Sequence, residues 1–178
     1  MKKTLLVILA LSLISGYTLA QTKIAVVDPQ KILRFSKEGK KILSELEAYK
    51  SRKEAEIQRR SKEVKKLEDK IATQRLTLSQ EALNKLMEEL DRKKTALKRY
   101  VEDAQKELTK LQQEKFMAFQ RTARRVVEKV AKAKGIDIVF DRMQSGIVYN
   151  SPAIDITNDV IKELDRLFAA KMGGKGKK

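Results

Sequence analysis

Two runs decide the fold of this chain: KILSELEAYKSRKEAEIQRRSKEVKKLEDKI at residues 41–71 and EALNKLMEELDRKKTALKRYVEDAQKELTKLQQEKFMAFQRTARRVVEKV at residues 81–130. On a grid that alternates three and four, the first run and its approach to the turn give Leu43, Leu46, Lys50, Lys53, Ile57, Arg60, Val64, Leu67, Ile71, Gln74 and Leu78. That spacing is the seam of a coiled coil. Four of those positions are polar, so the seam is weaker than a dedicated dimerisation zipper and suits partial packing against one neighbour. The second run offers Leu83, Leu86, Leu90, Leu97, Tyr100 or Val101, Ala104, Leu108 and Leu111, then Phe116, Phe119, Ala123, Val126, Val127 and Val130, an apolar face that broadens toward residue 130. Between them Gln74-Arg75-Leu76-Thr77-Leu78-Ser79-Gln80 breaks the period, and Ser79 can accept from the amides that open the second helix. Residues 37–134 therefore predict two helices folded back on each other. Arms of roughly 40 to 55 residues reach roughly 60 to 80 Å, farther than a compact domain of this mass is wide.

The amino terminus supplies the context. Lys2 and Lys3 precede an apolar run from Leu5 to Ile14, and small residues at Thr18 and Ala20 precede Gln21. This is the pattern of a cleaved secretory signal peptide over residues 1–20, with the mature chain starting near Gln21. No other segment approaches the length of apolar sequence that spans a bilayer. The chain has no cysteine, which excludes both a disulfide framework and a thiol nucleophile.

The formal net charge is +16, and the signal segment accounts only for Lys2 and Lys3. Residues 37–134 carry 28 Lys and Arg against 17 Asp and Glu, so the basic field belongs to the arms. Such a field attracts polyanions, acidic proteins or anionic lipid surfaces. Export argues against nucleic acid as the physiological partner. Part of the charge is ordinary helix chemistry, with opposite signs four apart as in Glu89 and Lys93.

Outside the arms the sequence changes character. Gly135 follows Lys132-Ala133-Lys134 as a helix stop. Ile136 to Asp141 and Ile147 to Asn150 read as two short strands at hairpin spacing, and Lys23 to Asp28 as a third. Asp28 and Pro29 suit the cap and first residue of a short helix through Phe35. Asp155 to Asp159 leads into Val160, Ile161, Leu164, Leu167 and Phe168, an amphipathic helix with acids early. Residues 169–178 read as a basic disordered tail. The fold class is α+β: a long antiparallel coiled-coil hairpin inserted into a discontinuous strand-bearing head, residues 21–36 and 135–168. Three short strands leave edges and apolar faces open, so the head is expected to oligomerise. Ile24, Val26, Ile138, Phe140, Ile147 and Tyr149 are the candidate residues for that contact.

With these residues in place, the chain resembles the Skp/OmpH family of periplasmic chaperones. The resemblance rests on Lys23-Ile24-Ala25-Val26-Val27-Asp28, the basic hairpin, Gly135 to Asp141, Gly146 to Tyr149, and Ser151-Pro152-Ala153-Ile154-Asp155-Ile156-Thr157 before the last helix. It covers essentially the whole mature chain. It implies a homotrimer whose strands build a shared β-barrel body, with three helical tentacles around a cavity. There unfolded outer-membrane proteins are held without ATP. It also implies an association with lipopolysaccharide through a basic patch on the arms, which the loose alignment of the arms does not place on individual residues.

The residue inventory agrees with holding rather than catalysis. There is no histidine, cysteine or tryptophan, and no phosphate loop or nucleotide fingerprint; neither an enzyme activity nor a cofactor is expected. Glu88-Glu89 and Glu102-Asp103 are adjacent on a helix and point to different sides. Asp137 and Asp141 flank a strand, an arrangement open to a cation or to ordinary edge charge. Leu76, Leu78, Leu83, Leu86 and Met87 surround the turn, where they serve either to pack the tip or to touch a client. Two other classes compete with a periplasmic holdase: an exported coiled-coil structural or adaptor protein, and a basic polyanion binder with lipopolysaccharide as its ligand.

Overall fold

The structure, a computed structural model, describes residues 21–175. The expected signal peptide and the last three residues lie outside them. Strand β1 (Ile24–Val27) leads into α1 (Pro29–Phe35), α2 (Lys37–Gln74), α3 (Gln80–Lys134), strand β2 (Ile138–Asp141), a single 3-10 turn (Pro152–Ile154) and α4 (Thr157–Lys175). The helical hairpin is thus inserted between the two strands.

Local chemistry sets each boundary. Asp28 accepts from the Lys31 amide while Pro29 supplies the first residue of α1. Ser36, fully buried, accepts from Gly39 N–H at 3.1 Å and opens α2. A side chain at Gly39 would place its Cβ 1.9 Å from the Leu33 carbonyl oxygen, so the tight α1–α2 corner requires glycine. Ser79 caps α3 through Ala82 N–H. Gly135 ends α3 in the left-handed region at φ 61°, with its own N–H donating to Lys132 and that of Ile136 to Ala131, the double bond of a Schellman stop.

The two strands pair in parallel, Ile24 with Ile138 through Val27 with Asp141. The crossover between them is the entire hairpin. Ala25, Val27 and Val139 turn to the helices, where Ile32, Ile42, Leu46, Phe119, Val126, Val130, Ile156, Val160 and Leu164 form the core. α4 lies across the base of the arms, held by Lys129–Glu163 and Lys134–Asp159 ion pairs and by Lys37 N–H donating to Asp165. The β1–α1 corner is tied to it by Asp28 N–H donating to the buried Thr157 hydroxyl.

Three expectations are corrected here. Ile147 to Asn150 is not a strand: Asp141 ends β2 by accepting from Met143 N–H through its side chain and from Gln144 and Ser145 through its carbonyl, and Gly146 at φ 68° redirects the chain. A strand exists by pairing, and this run has no partner edge within the described residues, so Tyr149 stands in solvent and Ile147 is half-buried. β2 consequently pairs not with its sequence neighbour but with distant β1. Residues 169–175 continue α4 rather than forming a disordered tail, since Ala169-Ala170-Lys171-Met172 are good helix formers that extend an established helix. Finally, the seam at the arm base passes through Ile42, which is buried, while Leu43 is exposed, because α1 and α4 pack there beside α3 and turn α2 off the heptad grid.

Candidate functional site

Beyond the level of Leu46 only α2 and α3 remain, and their mutual packing is thin. Ala104, Val64 and Leu67 are the buried seam residues of this distal part. Lys53 and Arg60, the seam positions that break the apolar pattern, are filled instead by an aromatic and ionic ladder. Lys53 Nζ lies 2.6 Å from Glu107 Oε2, whose carboxylate also accepts from the Tyr49 hydroxyl. Lys53 sits 5.3 Å from the Tyr49 ring and 5.2 Å from that of Tyr100, and the Arg60 guanidinium is 4.3 Å over Tyr100. Cations over aromatic faces replace aliphatic packing at modest energy. Counting along the sequence does not reveal these partners: from the helix ends at Gln74 and Gln80, Arg60 stands 14 residues in and Tyr100 20.

Cross-arm ion pairs continue along the hairpin. Glu45 meets Lys115 at 2.6 Å, Glu63 meets Lys93 at 3.0 Å and Glu68 meets Lys94 at 2.7 Å. Lys93 therefore pairs across the arms rather than with Glu89 on its own helix. The hydrogen bond from Lys115 holds the Glu45 carboxyl below the usual carboxylate range, as Lys93 does for Glu63 and Lys53 with Tyr49 for Glu107. Glu56, gripped by Arg59 and Arg60, is pushed down to about 2. All of these groups are solvated, and their individual contributions are small; their combined effect is to fix which residues of the two arms face each other.

At the tip the candidate contact residues divide. Leu76 is 97% exposed and Met87 55% exposed, whereas Leu78 in the turn and Leu83 and Leu86 in the first turns of α3 are half-buried. The head candidates divide as well. Ile24, Ile138 and Phe140 share one face of the sheet, opposite the face packed on the helices, and are about two-fifths exposed. Val26, on the same face, is buried, with β1 bridged there to Asp155. Val148 and Tyr149, in the irregular run that follows β2, are exposed as well. The sheet therefore presents a small apolar surface that the described residues leave uncovered.

Asp137 and Asp141 do not converge on a cation: Asp137 accepts from Lys23 N–H at 2.8 Å and Asp141 from Met143 N–H at 2.8 Å. No cluster of three or more His, Cys, Asp or Glu able to hold a metal occurs among the described residues, and no helix among them is long and apolar enough to cross a membrane.

This architecture has counterparts. The family model of OmpH-like outer membrane proteins matches residues 23–164, from the first strand to the core of α4. An uncharacterised protein of Aquifex aeolicus is 31% identical over 157 residues, covering 88% of this chain and 93% of that one. A crystal structure from Caulobacter crescentus CB15, described as a candidate OmpH-like outer membrane chaperone, superposes with a TM-score of 0.75 at 21% identity, over 83% of this chain and 86% of that chain. The latter likeness shows the shared fold: a helical hairpin inserted between strands and braced by a last helix. With the family match running through every one of those elements, the chain belongs to the OmpH-like family of outer membrane proteins.

Proposed function

We propose that the protein is an ATP-independent periplasmic holdase that binds unfolded outer-membrane proteins between helical arms and prevents their aggregation. The observation that carries this reading is the distribution of uncovered apolar surface. Two parts of it bear on function: the open face of the head sheet at Ile24, Ile138 and Phe140, and the tip of the projecting hairpin, where Leu76 and Met87 stand in solvent. The first suits assembly and the second suits grip.

The head surface supports a trimer. Two paired strands with one bare apolar face, and an adjacent run of β-rich sequence with no partner, are complementary to the same elements of another copy. Closing three such sets into a shared barrel removes the edges that would otherwise recruit unrelated chains. Three hairpins would then rise from one body around a common space.

The arms support a weak and renewable grip. An extended client offers scattered apolar side chains, and each one covered contributes roughly 1 kcal/mol, small enough to exchange. The arms carry an excess of Lys and Arg, which attracts acidic clients over a screening distance of about 8 Å at physiological salt. The same field would draw the protein to anionic lipid or lipopolysaccharide. The likeness to a structure described as a chaperone agrees with this reading. The test is dilution of a urea-unfolded outer-membrane β-barrel protein into buffer with and without the mature protein, in the absence of nucleotide. Suppressed light scattering is expected; unchanged aggregation, or protection only with ATP, overturns the proposal.

A further inference from the structure

Methionine is ordinarily an interior residue, yet every methionine in the described residues is on the surface. Met87 is 55% exposed, Met117 44%, Met143 58% and Met172 49%. Leucine behaves oppositely: of the fourteen leucines in the same residues only Leu43 and Leu76 are exposed. The two residue types have similar volume and helix propensity, so neither packing nor helix formation separates them. A thioether on a flexible, polarizable chain adapts to varied apolar partners, a use suited to surfaces that bind many sequences. Three of the four lie on the helices: Met87 near the tip of α3, Met117 nearer its base, and Met172 at the end of α4, which packs against that base.

From this partition we propose that Met87, Met117 and Met172 are client-contact positions whose oxidation by peroxide weakens the grip, making the chaperone's capacity responsive to oxidants. This inference rests on the holdase reading. In the step itself a thioether sulfur attacks one oxygen of hydrogen peroxide. An S–O bond forms as the O–O bond breaks, the sulfur loses two electrons, and the other oxygen leaves as water with the peroxide's two protons. The product is a polar sulfoxide where an apolar contact had been, and it is reducible by a methionine sulfoxide reductase. The chain has no cysteine to compete for the oxidant. Because the side chains are exposed, the core retains its packing, so capture and folding respond separately.

The experiment treats the intact mature protein with hydrogen peroxide, quenches it, and only then adds a urea-unfolded outer-membrane β-barrel protein. Peptide mass spectrometry locates the sulfoxides and circular dichroism follows the helices. The treated protein is expected to need roughly tenfold more chaperone for half-maximal protection, equivalent to about 1.4 kcal/mol spread over three contacts, with helicity unchanged. A variant with Met87→Leu, Met117→Leu and Met172→Leu, compared with itself before and after treatment, should lose none of its own protection to peroxide. The corresponding triple glutamine variant should be weak without peroxide. Undiminished protection by a protein shown to carry all three sulfoxides overturns the inference, as does equal peroxide sensitivity in the leucine variant. Failure of the untreated protein to protect refutes instead the holdase reading on which the inference stands.

Discussion

The division between residues that hold the fold and residues proposed to hold the client is measurable with two leucines. Leu164 is 1% exposed, at the centre of the core where α1, α2, α3 and α4 meet. Truncating Leu164→Ala removes buried carbons from the core cluster that also holds Ile32, Phe119, Val126 and Val160, and leaves a void there. A loss of about 3 kcal/mol follows from the usual range for such changes. With a denaturant slope of about 2 kcal/mol per molar, the urea midpoint falls by about 1.5 M, at fixed protein concentration because the proposed assembly would add to stability. Leu76 is 97% exposed in the turn between the arms. Leu76→Ala should move the midpoint by no more than an exposed substitution does, within about 0.5 kcal/mol. It should nevertheless weaken capture roughly fivefold, the equivalent of about 1 kcal/mol of lost apolar contact. Urea unfolding followed by circular dichroism gives the first quantity, and titrated suppression of client aggregation gives the second. A stability loss at Leu76 comparable with that at Leu164, or unaltered capture by a Leu76→Ala, Met87→Ala double variant, would refute the assignment of grip to the tip.

Phe140→Asp should dissociate or unfold the assembly, because it places an unpaired carboxylate on the face proposed to meet other copies; light scattering of the unmodified protein as a monomer at micromolar concentration would contradict the trimer. Acid should loosen the arms. Glu45, Glu63 and Glu107 all ionise below the ordinary 4.5 in the folded chain, and Glu56 and Glu163 at about 2. Their pairing therefore stabilises the folded state fully above the unfolded value and is lost as pH falls from 4.5 toward 2. With no histidine in the chain, thermal melts should be flat between about pH 6 and 8 and fall only in that acidic window; a transition near neutrality would contradict this. Raising salt should slow capture while leaving part of the affinity, as screening removes attraction to the basic arms but not apolar contact; salt-independent capture would remove electrostatics from the mechanism.

What the sequence made legible was mostly local. Ser79, Gly135 and the Asp28-Pro29 pair mark helix ends by chemistry within a few residues, and each boundary falls where those residues place it. The seam was legible where two helices alone meet, at Val64 and Leu67, and shifted to Ile42 where α1 and α4 join them. Strand pairing was not legible. Ile147 to Asn150 has the composition of a hairpin partner, yet β2 pairs across more than a hundred residues with β1, a choice set by how the helices close rather than by any short-range pattern. Lys53 and Arg60 looked like defects in a heptad because their partners Glu107 and Tyr100 lie on the other arm. The tip leucines were found by position, but which of them face solvent depends on the geometry of the turn, and only Leu76 and Met87 do so strongly.

The central claim, that the hairpin grips while the head assembles, is tested most directly by removing residues 60–97 and joining the shortened arms with a short glycine-serine linker. The cut falls just beyond the level where Lys53 meets Glu107, so the Tyr49 and Lys53 contacts and the whole core remain. Intact and shortened protein are compared for protection of a urea-unfolded outer-membrane protein without nucleotide, with oligomeric state followed by light scattering. The account predicts a folded trimeric head that no longer prevents aggregation. Equal protection by the shortened trimer would contradict it.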